Sequence, residues 1–581
     1  MDVTFTINHK TITVPDTYTV LTAAKQVGIN IPTLCHLDLH DMKCVNGAAS
    51  CRVCLVEIEG EKYLQPACST YVREGMSVIT SSRRAVRARR AMLELLLSNH
   101  PTNCLICEKN THCVLQKLAS DMGIKRGIKY NGEMSINEQD ASSQAIIRNP
   151  TKCIMCRRCE TMCNEVQTCG ILTAVGRGFK TIVGPAFNMP LADSMCTYCG
   201  QCVAVCPTAA LTEVSDIGGV WDALNDPDKV VLVQTAPSIR VALGEEFGMD
   251  VGTDVTGKMV ASLRALGFDK VFDTNYAADL TVMEEAEEFI HRLNSGGKLP
   301  MLTSCCPAWV KFIEHQFPSL LDVPSSCKSP HEMFGAIAKT YYAQKNGIDP
   351  EKIVVVSIMP CLAKKYEARR AELESEDHLA DVDYVLTTRE LASMLREAGV
   401  DFPNLEDEAF DPLLGESSGA GTIFGTTGGV IEAVMRTACE KITGEPLRQV
   451  EFKQLRGLEG IREAEIMIGD TPFKIGMAFG LGNARKLLES IERGEAQYQA
   501  IEIMACPGGC IGGGGQPYYQ NSYDVLQKRR AAIYANDEQK TIRKAHENPE
   551  ILKLYEEFLG EPGSERAHKL LHTKYVPREM I

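Results

Sequence analysis

CIMCRRCETMC, residues 153–163, recurs as CTYCGQCVAVCP at residues 196–207. Both copies follow the pattern C-x2-C-x2-C-x3-C, so this part of the chain contains an internal repeat. An evenly spaced cysteine triplet can wrap one polynuclear metal group, whereas zinc sites usually use two separated C-x2-C pairs. The repeat therefore predicts a small domain that is held together by two metal clusters, and it disfavours zinc.

The same spacing is the signature of bacterial ferredoxins with two [4Fe–4S] clusters, in which the fourth cysteine of each run binds the other cluster. One cluster is expected on Cys153, Cys156, Cys159 and Cys206. The second cluster is expected on Cys196, Cys199, Cys202 and Cys163. Asn164 occupies the position after the fourth cysteine, where a proline is common. Because the cysteine thiolate is the ligand, we expect this difference to leave cluster binding unchanged.

A second cysteine set lies near the N-terminus, in a β-rich region. Strand-like alternation at residues 3–7 and 11–14 is followed by Thr19, a plausible N-cap of a helix ending at Gly28. A central C-x2-C pair with two distant partners is typical of plant-type [2Fe–2S] domains. The predicted ligands are Cys35, Cys51, Cys54 and Cys68, with Cys44 as a rival for the first position. Cys35 is favoured because residues 31–34 lead into it as in such domains.

Residues 79–125 have a helical pattern and contain a third set, which is unusual because it begins with histidine. The predicted ligands are His100, Cys104, Cys107 and Cys113. Replacing one thiolate with neutral imidazole makes a cluster less negative, and this should raise its reduction potential. His112 is interpreted as a bystander.

The composition supports bound metal rather than disulfides. The chain has 581 residues, 24 cysteines and a net charge of −14, so nucleic-acid binding is disfavoured. The N-terminus shows no basic segment followed by an apolar core, and no run of 18 apolar residues occurs. We therefore expect a cytoplasmic protein without a membrane span.

From about residue 225 the pattern changes to strands that alternate with helices, which predicts an α/β domain. Strand-like runs cover residues 230–233, 300–303 and 353–358, and residues 206–236 are expected to form a hinge. Cysteines follow these runs in the segments TSCCP (303–307), MPCLAKK (359–365) and EIMACPGGCIGGGG (502–515). Strand ends are where α/β folds place active sites, and glycines let the backbone approach a bulky cofactor.

Together, these three segments resemble the active-site signatures of [FeFe]-hydrogenases, and the match extends over the whole chain. The resemblance implies a [4Fe–4S] cluster bridged, at Cys510, to a diiron unit with CO, cyanide and azadithiolate. The implied cluster ligands are Cys306, Cys361, Cys506 and Cys510. Around the diiron unit it implies hydrogen-bond donors to the two cyanides, from Lys364 and from the segment Ala236, Pro237 and Ser238. It also implies an apolar pocket formed by Met359, Phe424 and Met504.

The resemblance also implies a proton path through Cys305, Glu285, Ser325, Glu288 and Arg292. Spacing alone puts the two glutamates and the arginine on one face of a helix predicted at 283–293, where an ordinary surface ion pair is the simpler interpretation. A thiol beside the ligand Cys306 can relay protons. No role is assigned to His331, in a pocket position often held by glutamine, or to Cys44, Cys169, Cys327 and Cys439.

The implied fold is multidomain, α+β and α/β. A β-grasp [2Fe–2S] domain is expected at 1–78, a His-ligated [4Fe–4S] domain at 79–139 and a two-[4Fe–4S] ferredoxin domain at 140–215. The catalytic α/β domain would cover 216–581, with a small-subunit-like segment from about 520 to 581.

The expected partners follow from the accessory modules, which also occur in the large iron–sulfur subunit of respiratory complex I. The chain has no G-x-G-x-x-G after a strand, so no flavin or nucleotide site is expected on it. We expect one partner to be a flavoprotein subunit that uses NAD(H) or NADP(H), with bifurcation of electrons to ferredoxin. Hydrogenase maturation proteins are expected as further partners. A stand-alone ferredoxin-dependent hydrogenase is the alternative, and a non-catalytic iron–sulfur assembly or sensor protein is a further one.

Overall fold

The computed structural model describes residues 1–39, 49–124, 130, 132–375, 378–520 and 522–579, so Cys44 lies outside the described residues. The N-terminal region forms a five-stranded sheet with the order Lys10–Pro15, Asp2–Ile7, Ser77–Ile79, Leu55–Ile58 and Gln65–Pro66. The two predicted strands are confirmed as an antiparallel pair. Thr19 caps the helix Val20–Gln26 by accepting a hydrogen bond from the amide of Thr22 at 3.2 Å.

The cysteine-rich middle of the chain contains only short elements. Two helices, Arg83–Ser98 and Val114–Asp121, lie in the stretch that was predicted to be helical. Beyond them, two small antiparallel pairs are formed by Ile146–Arg148 with Leu211–Glu213 and by Thr173–Val175 with Ile182–Gly184. The helical pieces between them are Arg158–Thr161, the π-helical turn Met162–Val166 and Gln201–Val205.

Two four-stranded sheets form the framework of the C-terminal half. The first is parallel, with the order Lys270–Asp273, Val230–Thr235, Ile353–Met359 and Tyr384–Thr387. The second is mixed, with the order Met301–Leu302, Ala500–Met504, Thr471–Phe479 and Ile461–Ile468. The predicted α/β pattern is confirmed, although the antiparallel hairpin of the second sheet was not anticipated.

Helices pack around both sheets. The predicted helix at 283–293 is part of a longer one, Thr274–Ser295. The others are Ile217–Asn225, Thr256–Ala265, Pro307–Gln316, Pro330–Ile337, Ala343–Asn346, Ala363–Glu367, Thr388–Glu397, Gly419–Ile423, Gly429–Thr443, Leu481–Glu492, Tyr523–Gln539, Pro549–Leu554 and Glu565–Leu571. Among the described helices, none is long and apolar enough to cross a lipid bilayer.

The stretch expected to be a hinge is instead partly core. Helix Ile217–Asn225 buries Val220 and Ala223 in the same apolar cluster as the parallel sheet. Because packing fixes these side chains, residues 206–236 do not form a hinge over their whole length.

The cysteine-rich region is bound tightly to the C-terminal half. The Gln201 side chain donates to the Gly512 carbonyl at 3.0 Å, and that of Gln167 donates to the Ala505 carbonyl at 2.9 Å. At Gly514, an added Cβ would come within 2.7 Å of the Cα of Gly200, so the two backbones are in contact. The loop with the second cysteine triplet therefore lies directly on the glycine-rich loop.

Candidate active site and cluster sites

One cavity lies where strands from both sheets end. Its walls come from the residues just after strands Val230–Thr235, Met301–Leu302, Ile353–Met359 and Ala500–Met504. The space between its lining atoms is about 750 Å³, including the part that opens to solvent. Strand ends from two sheets thus converge on one cavity.

The cavity lining matches most of the predicted pocket. Four cysteines, the surplus thiol, the lysine and the apolar residues all line it: Cys306, Cys361, Cys506, Cys510, Cys305, Lys364, Ala236, Pro237, Met359, Phe424 and Met504. Ser238 is the exception, since it is buried behind the wall. There the side chain of Gln516 donates to the hydroxyl of Ser238 at 3.1 Å, which leaves the hydroxyl hydrogen free to donate elsewhere.

The charged group of the cavity is Lys364, which is held by two acceptors. Its ammonium donates to the Glu367 carboxylate at 2.6 Å and to the Cys305 carbonyl at 3.2 Å. The same oxygen of Glu367 lies 2.7 Å from Nε2 of His331, which also lines the cavity. Burial opposes ionisation of Glu367, but Lys364 and His331 outweigh it and lower the pKa of the carboxyl to about 2.

Hydrogen bonds link three of the predicted proton-path residues, Ser325, Glu288 and Arg292. Ser325 donates to Glu288 at 2.8 Å, and the Arg292 guanidinium donates to the same carboxylate at 3.1 and 2.5 Å. Arg292 also donates to the carbonyls of Val323 and Pro324 at 2.7 and 2.8 Å. The helix face predicted from spacing therefore packs against the loop at residues 323–326 and is not an exposed surface.

Glu285 lies one helical turn before Glu288 on the same helix and is fully buried. The Ser304 amide and the Ser325 hydroxyl face its carboxyl group, but neither makes a hydrogen bond of ordinary geometry with it. Burial, reinforced by the charge of Glu288, raises the pKa of Glu285 to about 8. Burial and the Glu285 charge also raise the pKa of Cys305 above its ordinary value. Both groups therefore hold protons at neutral pH.

The two repeated runs surround two separate cavities. One is lined by Cys153, Cys156, Cys159 and Cys206. The other is lined by Cys196, Cys199, Cys202 and Cys163. Each fourth cysteine has crossed to the other triplet, in agreement with the predicted exchange. Cys169 also lines the second cavity, and the linear spacing gave no indication of this.

The N-terminal thiols are also brought together. The sulfur atoms of Cys54 and Cys68 are 3.4 Å apart. Hydrogen bonds with the Cys51 and Cys68 thiols lower the pKa of Cys35. Cys35 therefore belongs to the same cluster of sulfurs as the other three.

His100 is buried, and its Nδ1 lacks a hydrogen-bond partner among the residues that the structure describes. Burial, together with the charge of Lys152, lowers the pKa of His100 to about 4, so the imidazole is neutral. A neutral ring with a free nitrogen suits a metal ligand. Cys113 lies near the second repeat, since its thiol is 3.6 Å from the Pro207 carbonyl.

The donor sets fit iron–sulfur groups. All 23 cysteines of the described residues are free of disulfides, and they gather in sets of soft sulfur ligands. The main cavity has four thiols at one end and an apolar wall with one ammonium at the other. No role was predicted from the sequence for Glu367 or Gln516, which hold Lys364 and Ser238. For Glu367 a signal existed, since it is an acidic residue three positions after Lys364 in the segment that carries Cys361.

Family models match most of the chain. The iron only hydrogenase large subunit, C-terminal domain, matches residues 229–514, and the iron hydrogenase small subunit matches residues 523–578. A 2Fe-2S iron-sulfur cluster binding domain matches 1–83, and the NADH-ubiquinone oxidoreductase-G iron-sulfur binding region matches 89–127. A 4Fe-4S binding domain matches 192–212. The chain thus combines iron–sulfur modules with an iron hydrogenase domain.

Individual relatives agree. The NADP-reducing hydrogenase subunit HndD of Solidesulfovibrio fructosivorans is 57% identical and is aligned over 100% of this chain and 99% of its own length. Iron hydrogenase 1 of Clostridium pasteurianum is 40% identical over 98% of this chain and 99% of its own. The structure of apo [FeFe]-hydrogenase HydA1 from Chlamydomonas reinhardtii superposes with a TM-score of 0.57 at 42% identity, covering 63% of this chain and 99% of that one. The chain belongs to the [FeFe]-hydrogenase family.

Proposed function

We propose that this protein catalyses the reversible oxidation of H2 at a cofactor in the main cavity. The observation that carries the proposal is the convergence of Cys306, Cys361, Cys506 and Cys510 on one cavity that also contains Cys305 and Lys364. The cofactor would be a [4Fe–4S] cluster on the four cysteines, bridged through Cys510 to a diiron unit with CO, cyanide and azadithiolate. When bound, this group supplies the metal and the amine base at which H2 is split or formed.

The remaining cavity residues would hold and shield that group. Lys364, fixed by Glu367, presents an ammonium that can donate a charge-assisted hydrogen bond to a cyanide. In the segment Ala236–Pro237–Ser238, the donors to the other cyanide would be the backbone amide and the hydroxyl of Ser238, since proline has no N–H and the Ala236 amide donates to the Ile358 carbonyl at 3.0 Å. Met359, Met504 and Phe424 keep water from the cavity and adapt to its shape.

Protons would pass between the cavity and the surface through Cys305, Glu285, Ser325, Glu288 and Arg292. The hydrogen bonds from Ser325 and Arg292 to Glu288, and the buried, protonated Glu285, support this order. Cys305 would exchange the proton with the cofactor, since its thiol is the one in the lining that no cluster requires.

Electrons would pass through four accessory clusters. The proposed domains are a β-grasp [2Fe–2S] domain at 1–78, a His-ligated [4Fe–4S] domain at 79–139, a two-[4Fe–4S] ferredoxin domain at 140–215 and the catalytic domain at 216–581. The ligands are those predicted from the sequence. The grouping of the two repeated sets around separate cavities supports those two clusters, and the approach of the N-terminal thiols supports the [2Fe–2S] cluster. Cluster thiolates and free cysteines favour a reducing cytoplasm.

The proposed partner is a flavoprotein subunit that uses NADP(H) or NAD(H), with bifurcation of electrons to ferredoxin. The name of the 57% identical relative, an NADP-reducing hydrogenase subunit, supports a pyridine nucleotide on another chain. The 40% identical relative is named simply as an iron hydrogenase, which keeps a stand-alone ferredoxin-dependent enzyme as the second candidate. Purification from the native cell would decide, since a flavin-containing chain should copurify in the first case alone.

Infrared spectroscopy of the matured protein tests the catalytic proposal. CO and cyanide bands are expected, together with H2 evolution from reduced viologen. Bands without activity would favour a sensor, and matured protein with neither bands nor activity would favour a non-catalytic assembly protein. A Cys361→Ala variant is the control, because it should lose the bands while keeping the signals of the accessory clusters.

A further inference from the structure

Three side chains that commonly bind zinc meet beside the outer half of the proton path. One carboxylate oxygen of Glu288, Sγ of Cys327 and one ring nitrogen of His572 all lie within 4.8 Å of one another. Glu288 is on helix Thr274–Ser295, and Cys327 is in a loop whose backbone pairs with that of His572. The C-terminal segment therefore completes a cluster that no single sequence motif contains.

The surroundings orient two of these side chains for metal binding. Nε2 of His572 lies 3.0 Å from the Glu284 carboxylate, which also accepts a 2.5 Å hydrogen bond from the Tyr555 hydroxyl. A carboxylate behind the second ring nitrogen is the usual support of a zinc-bound histidine. One oxygen of Glu288 is held by Arg292, so the other faces the cluster.

We infer that Glu288, Cys327 and His572 bind Zn²⁺, and that the bound ion blocks proton movement through Glu288. Sulfur, imidazole and carboxylate are zinc ligands, and three protein ligands with one open position form a common zinc geometry. A carboxylate that coordinates zinc cannot accept the proton that Ser325 would pass to it. The inhibitory consequence rests on the proposed proton path, whereas the binding does not.

Zinc must displace existing interactions, so the site is suited to reversible regulation rather than to a permanent structural ion. Ser326 Oγ lies 2.8 Å from Nδ1 of His572 and 3.3 Å from Glu288, between two of the ligands. Burial and the nearby carboxylates raise the pKa of Cys327, so the free site holds a thiol. Formation of the Zn–S bond therefore breaks the S–H bond and releases one proton to the buffer.

Two other clusters of possible ligands are weaker candidates. His331, Glu332 and Glu367 are fully buried, and Glu367 is already paired with Lys364. The third cluster combines Glu440 and His546 with Glu547, and Lys544 neutralises Glu440 at 2.8 Å. Neither contains sulfur. His546 thus provides a matched control for non-specific zinc binding.

The test is a titration of the holoenzyme with ZnCl2, measured by calorimetry and by H2 evolution from reduced viologen. We expect binding at this site with loss of activity, and recovery with EDTA while the CO and cyanide bands stay unchanged. Cys327→Ala and Glu284→Gln should each weaken both binding and inhibition by about ten-fold or more. His546→Gln should leave both as in the wild type.

Each alternative outcome has a distinct meaning. Equal zinc binding by the wild type, Cys327→Ala and His572→Gln would overturn the site. If binding requires Cys327 but zinc does not inhibit, Glu288→Gln decides the cause. A slow Glu288→Gln enzyme would then refute the block at Glu288, whereas a fully active one would refute the proton path and leave the metal site standing.

Discussion

Glu285→Gln should produce opposite effects on stability and on turnover. Glu285 is buried, and its pKa rises from an ordinary 4.5 to about 8. Between these values the folded state keeps a proton that the unfolded state has released, so the carboxyl lowers stability as pH rises. At ~1.36 kcal/mol per pKa unit, the loss reaches at most about 5 kcal/mol by pH 8. Glutamine stays neutral and avoids this loss.

The assay compares thermal denaturation midpoints of the variant and the wild type at pH 5 and pH 9. The advantage of the variant should be larger at pH 9, while H2 evolution falls by roughly 10²–10⁴-fold because an amide cannot relay a proton. Glu314→Gln is the control. Glu314 is equally buried but accepts from Arg370 at 2.6 Å and Arg578 at 2.7 Å, so its variant should be destabilised at both pH values. A pH-independent difference for Glu285→Gln, or an unchanged rate, would refute the reasoning.

Three further outcomes are expected. Lys364→Met leaves Glu367 without its lysine, so the variant should be destabilised by about 3–5 kcal/mol and lose the CO and cyanide bands, checked by thermal denaturation and infrared spectroscopy; retained bands would show that Lys364 does not hold the diiron unit. His100→Cys adds a negative charge to its cluster and should lower the reduction potential in an electron paramagnetic resonance titration; an unchanged potential would argue against ligation. Cys35→Ala should abolish the [2Fe–2S] signal and Cys44→Ala should retain it; the reverse result would exchange the two assignments.

Local patterns in the sequence were sufficient for the parts of the fold that neighbouring residues determine. The cysteine spacing was sufficient to predict that Cys163 and Cys206 each line the cavity of the other run. A short loop around a metal cluster can adopt few conformations, so the spacing restricts where the fourth cysteine lies. Strands and the Thr19 cap were likewise set by adjacent residues. For these features, spacing and local hydrogen bonding constrain the chain more than distant contacts do.

Features that depend on distant contacts could not be predicted. Gln516 meets Ser238 across 278 positions of sequence, and no periodicity encodes such a contact. Helix Ile217–Asn225 was missed because its glycines and flanking aspartates are typical of turns, while packing of Val220 on the sheet stabilises the helix. The proton-path helix was found, but its burial under the C-terminal segment was not visible in its charge pattern.

The contact between Gly200 and Gly514 also bears on the speed of electron tunnelling. Tunnelling slows steeply as donor and acceptor separate. Gly200 is next to Cys199 and Gly514 is near Cys510, so the two glycines lie between the cavity of the second repeat and the main cavity, where the proposed electron path would make its last step. An alanine at Gly514 would force the backbones apart, since its Cβ would come within 2.7–2.9 Å of main-chain atoms of Cys199 and Gly200. At Gly200 an added Cβ would lie 3.1 Å from the Cα of Gly514 and 3.2 Å from the side chain of Leu362. In the proposed electron path, the absence of a side chain at these two positions would keep the second repeat close to the main cavity.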